Sequence, residues 1–274
     1  MIELPESITL GKQANEILTG KTITSVFNAT KPHKFAFFNG DPEEYKPLLT
    51  GKKVKSARGF GMYVDIYLED DTTISIGDGV TWKYGKDGTK IPDNYQLLLG
   101  FDDNSFLAFG IAMYGMIYAF KGEFDNKYYR LSADSISPLN DQYTEKEFNK
   151  LFSDAKKSLS AKALLATEQR IPGVGNGVAQ DILFNARINP KRKALSLSDK
   201  ERKDLFNSLK KTLKEMTDKG GRDTQTDIFG NKGGYKTILS ANTWKNPCPV
   251  CGDTIIKESF LGGTIYYCPT CQPL

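Results

Sequence analysis

The four cysteines of this chain all lie in its last 27 residues, as Cys248-Pro-Val-Cys251 and Cys268-Pro-Thr-Cys271 with sixteen residues between the pairs. Two C-x-x-C knuckles bring four thiolates around one tetrahedral ion, and sixteen residues suffice for a β-hairpin between them. The hairpin is expected as Ile255 to Ser259, a Leu261-Gly262-Gly263 turn, and Thr264 to Tyr267. A closed four-sulfur shell leaves no position for water, so a zinc ion held by Cys248, Cys251, Cys268 and Cys271 is expected to be structural. Disulfides are the competing use of cysteine. They suit a secreted chain, and MIELPESITLGK carries Glu3, Pro5 and Glu6 where a signal peptide needs basic and then apolar residues.

The rest of the 274 residues is read within that frame. The only histidine is His33, which argues against a Ser-His-Asp machine and rules out a multi-histidine metal site. It sits in Lys31-Pro32-His33-Lys34 and is expected in an exposed loop. No apolar run approaches the roughly 18 residues of a membrane span, and a cytoplasmic, monomeric protein is expected, nucleoid-associated if bacterial. The formal charge of +4 hides an asymmetry. Residues 1–149 hold 16 Lys+Arg against 21 Asp+Glu, a balance of −5, whereas residues 150–274 hold 21 against 12, a balance of +9. A basic half suggests a polyanion partner, with a solvated lysine-rich surface as the plainer alternative.

Periodicity divides the chain the same way. After one helix beginning near Pro5, with Ile8, Ala14, Ile17 and Leu18 apolar, the first half shows short alternating segments: Ile23 to Phe27, Gly61 to Leu68, Thr72 to Ile76, Tyr95 to Phe101 and Ser105 to Phe109. Asp-Asp, Asp-Gly and Asn-rich turns separate them, which predicts an antiparallel β-sandwich. A Ser-, Pro-, Asn- and Asp-rich stretch from Ser132 to Tyr143 marks the boundary. Beyond it, capping boxes at Thr144/Glu147 and Ser198/Glu201 open helices, a short helix fits Ser160 to Glu168, and another follows the glycine turn in RIPGVGNGVAQDILFNARINPKR. Three units are expected, at 1–135, 142–235 and 244–274, giving an α+β chain.

Gly173, Gly175 and Gly177 can bring bare backbone N–H groups to a helix start, where a phosphate binds well, with Asn176 as an added donor. They serve equally as a tight helix–helix corner. The basic run Lys191-Arg192-Lys193 that follows favours DNA.

Glu3-Leu4-Pro5-Glu6, the glycine-turn segment, GGRDTQTDIFGNKGGY and the terminal CPVC…CPTCQ resemble, in order and spacing along nearly the whole chain, the formamidopyrimidine-DNA glycosylase / endonuclease VIII family. The resemblance implies an N-terminal β-sandwich with an N-terminal helix, a helix-two-turns-helix module and a zinc finger. It also implies damaged or abasic double-stranded DNA in the cleft between domains, with the damaged base flipped out. It assigns backbone contacts to Lys162, Gly175, Asn176 and Gly177, to which the basic run adds Lys191 and Arg192 as expected DNA contacts. Met113 and Tyr114 stand where the family fills the gap in the base stack, though two such side chains in a β-rich unit also suit the core.

The family's nucleophile is an N-terminal proline whose amine attacks the sugar, with Glu3 matching the general acid/base and Glu6 beside it. Here that position is Ile2. A bulky residue after the initiator retains Met1, so the free amine is expected on Met1, one residue early. Met62 in Gly61-Met62-Tyr63 replaces a phosphate-binding lysine, Gly262-Gly263-Thr264 lacks the family's arginine, and Asp78 replaces a loop methionine. Glu168-Gln169-Arg170 resembles a polar stretch near the lesion but also suits ordinary capping, and Arg222 and Asp223 either order the family's flexible lesion loop or are solvated. Three functions compete: an altered glycosylase or abasic-site lyase, a non-catalytic binder of damaged DNA, and a zinc-stabilised scaffold or RNA-binding protein.

Overall fold

Alternating apolar residues in the first half fold as expected into two packed sheets, in a computed structural model that describes residues 2–153 and 155–274. Helix α1 (Leu4–Leu18) precedes β1 (Ile23–Asn28), β2 (Ala36–Phe38), the short α2 (Tyr45–Leu49), β3 (Val54–Phe60), β4 (Tyr63–Leu68), β5 (Thr72–Ile76), β6 (Val80–Gly85), β7 (Leu97–Phe101), β8 (Phe106–Ile111) and β9 (Gly115–Lys121). The strands order as β1-β7-β8-β6 in one sheet and β2-β9-β5-β4-β3 in the other. One pair departs from the antiparallel expectation: β2 runs parallel to β9, with Phe37 opposite Met116. Strands β2, β3, β6 and β9 lie outside the expected segments; β2 is only three residues long, and β9 is buried at four successive positions, Ile117 to Phe120, which hides its alternation.

The stretch expected as a loop boundary begins inside a helix, α3 (Lys127–Asp134), which Asn126 caps by accepting from the Tyr128 and Tyr129 amides. Then come α4 (Glu145–Ser153), α5 (Ala161–Ala166), α6 (Asn176–Asn185) and α7 (Asp199–Asp218), four helices about the glycine turn as expected. Ser160 caps α5 and the Ser198/Glu201 box opens α7. At the far end of α7 Gly220 and Gly221, at φ of +70° and +93°, turn the chain away. The zinc hairpin is β10 (Ile256–Phe260) and β11 (Gly263–Tyr267), so its turn is the two residues Leu261-Gly262 rather than three.

A contact invisible to periodicity joins the halves. The loop after α7 reaches back to the sandwich and inserts Ile228, fully buried, into the same apolar cluster as Leu10, Trp82 and Tyr84. Gln13 on α1 fixes the loop from both sides, donating to Asp227 Oδ2 at 3.0 Å and accepting from the Ile228 amide at 3.2 Å. The Tyr84 amide donates to the Ile228 carbonyl at 2.9 Å, and Phe229 lies edge-on to the Tyr84 ring. A loop held by core burial and three hydrogen bonds is a strap between the units. Replacing Ile228 with Ala should cost about 2–4 kcal/mol in chemical denaturation. Phe229→Ala, at a half-exposed neighbour, should cost distinctly less.

Candidate functional site

The first turn of α1 places Glu3 and Glu6 side by side inside the protein, at 3% and 4% exposure. Glu6 reaches back to accept from the Glu3 amide at 3.2 Å, fixing the start of the helix. The Glu3 carboxylate turns the other way, to the start of α6, where it accepts from the Gly177 amide at 2.9 Å and the Val178 amide at 2.7 Å. Helix α6 has no cap of its own, because its N-cap residue is Gly175. A carboxylate from another element supplies the missing acceptor at the positive end of the helix.

Between the two carboxylates lies Arg222, 3% exposed. Its amide and Nε donate to Glu6 Oε1 at 3.0 Å each, its Nη2 to Glu6 Oε2 at 2.7 Å, and its Nη1 lies 3.5 Å from Glu3 Oε2. Arg222 therefore orders the loop rather than facing solvent. The glycines of the turn follow from this packing: a Cβ on Gly175 would come within 2.8 Å of Glu3 Oε1, and one on Gly177 within 1.7 Å of Arg222 Nη1. The sequence reading that opened this turn to a phosphate is corrected at Gly177, whose N–H is taken by Glu3. Burial pushes the Glu3 carboxyl above its ordinary range, with Arg222 and the two α6 amides opposing and Glu6 reinforcing. Burial alone would lower Arg222, but Glu3 and Glu6 outweigh it and hold the guanidinium charged. Removing the guanidinium leaves two carboxylates buried together, so Arg222→Met should destabilise the fold by roughly 3–5 kcal/mol, read by thermal or urea unfolding.

Beside this cluster a cavity of about 240 Å³ opens between the units. Ile2, Leu10 and Val80 form its apolar wall, and Gln225 and Thr226 of the strap its polar side. Trp82 borders it, and its buried indole N–H has no hydrogen-bond partner among the described residues. Ile2 is 4% exposed and belongs to the sandwich core. Met1, expected to carry the displaced amine, lies outside the described residues. At the rim the β8–β9 turn carries Met113, 67% exposed, and Tyr114. Tyr114 is not free to move with it, since its hydroxyl donates to Asp78 Oδ2 at 2.7 Å. Burial raises the Asp78 carboxyl, an effect this bond opposes.

Met62 is buried with Tyr63, Tyr118 and Phe120, part of an aromatic cluster that includes Tyr129 of α3. The basic residues picked from the sequence have partners within the chain. Lys191 pairs with Glu258 at 2.6 Å, and Arg192 makes a two-pronged pair with Glu201, which also caps α7. Asn176 donates to the Thr264 carbonyl at 2.9 Å, Lys162 donates to the Phe260 carbonyl, and burial lowers the Lys162 ammonium. Lys162 and Asn176 thus meet at the zinc hairpin. His33 is half-buried, and its Nδ1 accepts from the Phe35 amide.

The four cysteine sulfurs lie within 4.8 Å of one another. Tetrahedral zinc with Zn–S bonds of about 2.3 Å needs sulfurs about 3.8 Å apart, so the donor set fits a structural zinc. The finger seats on the helices through Gln272, fully buried, which accepts from the Cys268 amide and donates to the Ile188 carbonyl while its own carbonyl accepts from Asn189. Chelation should expose amides in the 248–271 segment to hydrogen exchange while the sandwich strands keep their protection. Among the described residues no helix is long and apolar enough to cross a membrane.

Sequence reasoning named Glu3 and Glu6 but not their partner's role, and it missed Gln13, Asp227 and Ile228. The available signal was Ile228-Phe229, an apolar pair flanked by polar residues and glycine.

Two family models match this chain: the formamidopyrimidine-DNA glycosylase H2TH domain over residues 135–227, and the zinc finger found in FPG and IleRS over residues 245–274. The formamidopyrimidine-DNA glycosylase of Cytobacillus firmus is 27% identical over 278 residues, covering 99% of this chain and 100% of that protein. That of Shouchella clausii is 28% identical, covering 100% and 99%. Among solved structures, the MutM (Fpg) protein of Thermus thermophilus superposes with a TM-score of 0.80 at 24% identity over 98% of both chains. Lactococcus lactis Fpg in complex with abasic-site DNA does so with a TM-score of 0.84 at 23% identity, over 99% of this chain and 100% of that one. Residues 135–227 thus match the H2TH domain and residues 245–274 the zinc finger of formamidopyrimidine-DNA glycosylases, and the chain is similar to those proteins along its whole length.

Proposed function

We propose that this protein is a DNA-repair protein that binds damaged or abasic duplex DNA and has lost the Schiff-base chemistry of its family. The observation that carries the loss is Ile2: a buried aliphatic side chain forms the cavity wall at the position of the family's proline. Covalent attack on a sugar needs an unprotonated amine, and with Met1 retained the Ile2 nitrogen is a peptide amide, which is no nucleophile. Glu3, the match to the general acid/base, has both oxygens engaged by α6 and lies against Arg222. Met62, within its aromatic cluster, offers a phosphate nothing.

Binding asks for less. Affinity for DNA comes mainly from cations set against phosphates, and the half of the chain from residue 150 onward carries the excess of +9. The curated relatives are named as glycosylases, and the Lactococcus lactis relative is solved on abasic-site DNA. Lys162 and Asn176 face the hairpin as one edge, and exposed Met113 stands at the cavity rim. The cavity beside Ile2 takes the extruded base without reacting with it.

The test titrates abasic and intact duplexes with purified protein across a salt series and treats the abasic complex with borohydride. Tighter binding of the abasic duplex, a log–log salt slope of several units, and no trapped adduct are expected. An adduct that disappears when the N-terminus is blocked overturns the loss of chemistry, and equal affinity for the two duplexes overturns the recognition of damage.

A further inference from the structure

We propose that Leu261, at the tip of the zinc hairpin, is an apolar wedge that enters an opened base step of duplex DNA. The inference rests on the DNA-binding reading above and begins from backbone strain. Phe260 pairs with Gly263, so β10 and β11 are joined by Leu261 and Gly262 alone. Their φ angles are +50° and +71°, the arrangement of a type I′ turn, in which both central residues are left-handed. Asn or Gly is the usual first residue there. Six other non-glycine residues with positive φ are found among the described residues, and all are Asp, Asn, Glu, Gln or Arg. Leu261 is the one aliphatic residue in that conformation, which its Cβ disfavours and no local side-chain hydrogen bond can offset.

Leu261 gains nothing from packing in return, since it is 55% exposed. A strained conformation and an exposed leucine are two costs at one position, and unfavourable backbone held in place is a mark of function. The tip is also held firmly. Asn176 and Gln180 both donate to the Thr264 carbonyl at 2.9 Å, and Lys162 donates to the Phe260 carbonyl from the start of α5. The leucine is thus presented by a short hairpin clamped to two helices, with the Lys162 ammonium 5.8 Å from the ring of the preceding Phe260.

A rigid apolar tip carried by the basic half of the chain suits a ligand that is anionic outside and flat and apolar within. Duplex DNA has that construction, and a step missing a base already has room for a leucine. A lipid surface shares the chemistry, but one leucine offers too little apolar area to anchor a protein there, and the family of this chain points to DNA.

The decisive variant is Leu261→Asn, because asparagine suits the left-handed position. With zinc-loaded full-length protein, we expect this variant to melt at or above the wild-type temperature and to bind abasic duplex about tenfold more weakly. The slope of log affinity against log salt should not change, because a wedge releases no counterions. Wild-type affinity in Leu261→Asn, or a lowered melting temperature, overturns the proposal by making the residue inert or structural. Leucine-dependent binding to phosphatidylglycerol vesicles in place of DNA overturns it in favour of a membrane. Failure of the wild-type protein to bind any duplex is a separate result: it sinks the functional reading, and the wedge with it.

Discussion

Two buried carboxylates share one buried guanidinium, and the surplus negative charge lies against the start of a helix. That arrangement sets the relation between the halves of this protein. Glu3 and Glu6 come from α1, which packs on the sandwich; the amides of Gly177 and Val178 belong to the helical unit; Arg222 belongs to the strap. An unpaired charge in such a place would be costly, so the three segments must meet in one geometry or the charges must be re-exposed to water. Because Arg222 donates from its amide as well as its side chain, the strap is located by backbone and not by a flexible side chain alone. The buried Ile228 then continues the same strap into the sandwich core, coupling the ion cluster to an apolar one.

The glycine turn shows where sequence reasoning stops. The string Gly173 to Gly177 is equally consistent with a phosphate cradle and a tight corner, because both need backbone free of side chains. What decides between them is the identity of the group that approaches the amides, and that group lies some 170 residues away in sequence. Helix starts were legible at Ser160 and Ser198, where the cap is local, but not at α3, whose cap Asn126 is local too. The start of α6 was legible only as a break, since its cap is Glu3 from another element. The zinc site was read in full, because thiolate chemistry and spacing determine it together. The strand set was read in part: β1, β5 and β8 announce themselves by composition, whereas three-residue β2 carries too little pattern to register.

The basic residues make a related point about charge. The surplus in the second half is real, yet Lys191 and Arg192, which look like a DNA-binding run, are paired with Glu258 and Glu201. Net charge describes the long-range field, which attracts a polyanion whether or not each cation is locally paired. It does not say which side chain will contact a phosphate. Lys162 has no carboxylate partner among the described ion pairs, only a carbonyl, and burial already weakens its hold on the proton, so a phosphate would restore what burial takes away.

The departures from the family pattern are integrated into the fold rather than left as gaps. Here Ile2 is part of the sandwich core, Met62 packs among Tyr63, Tyr118 and Phe120, and Gly263 lies so close to the Lys162 and Asn176 side chains that a Cβ would stand 3.3 to 3.4 Å from them. At Gly263 the close approach lets the hairpin sit on the two helices, and the same seating fixes the strained Leu261 two residues earlier. Packing and strain at the hairpin therefore belong to one arrangement, in which the two helices hold the tip that carries Leu261.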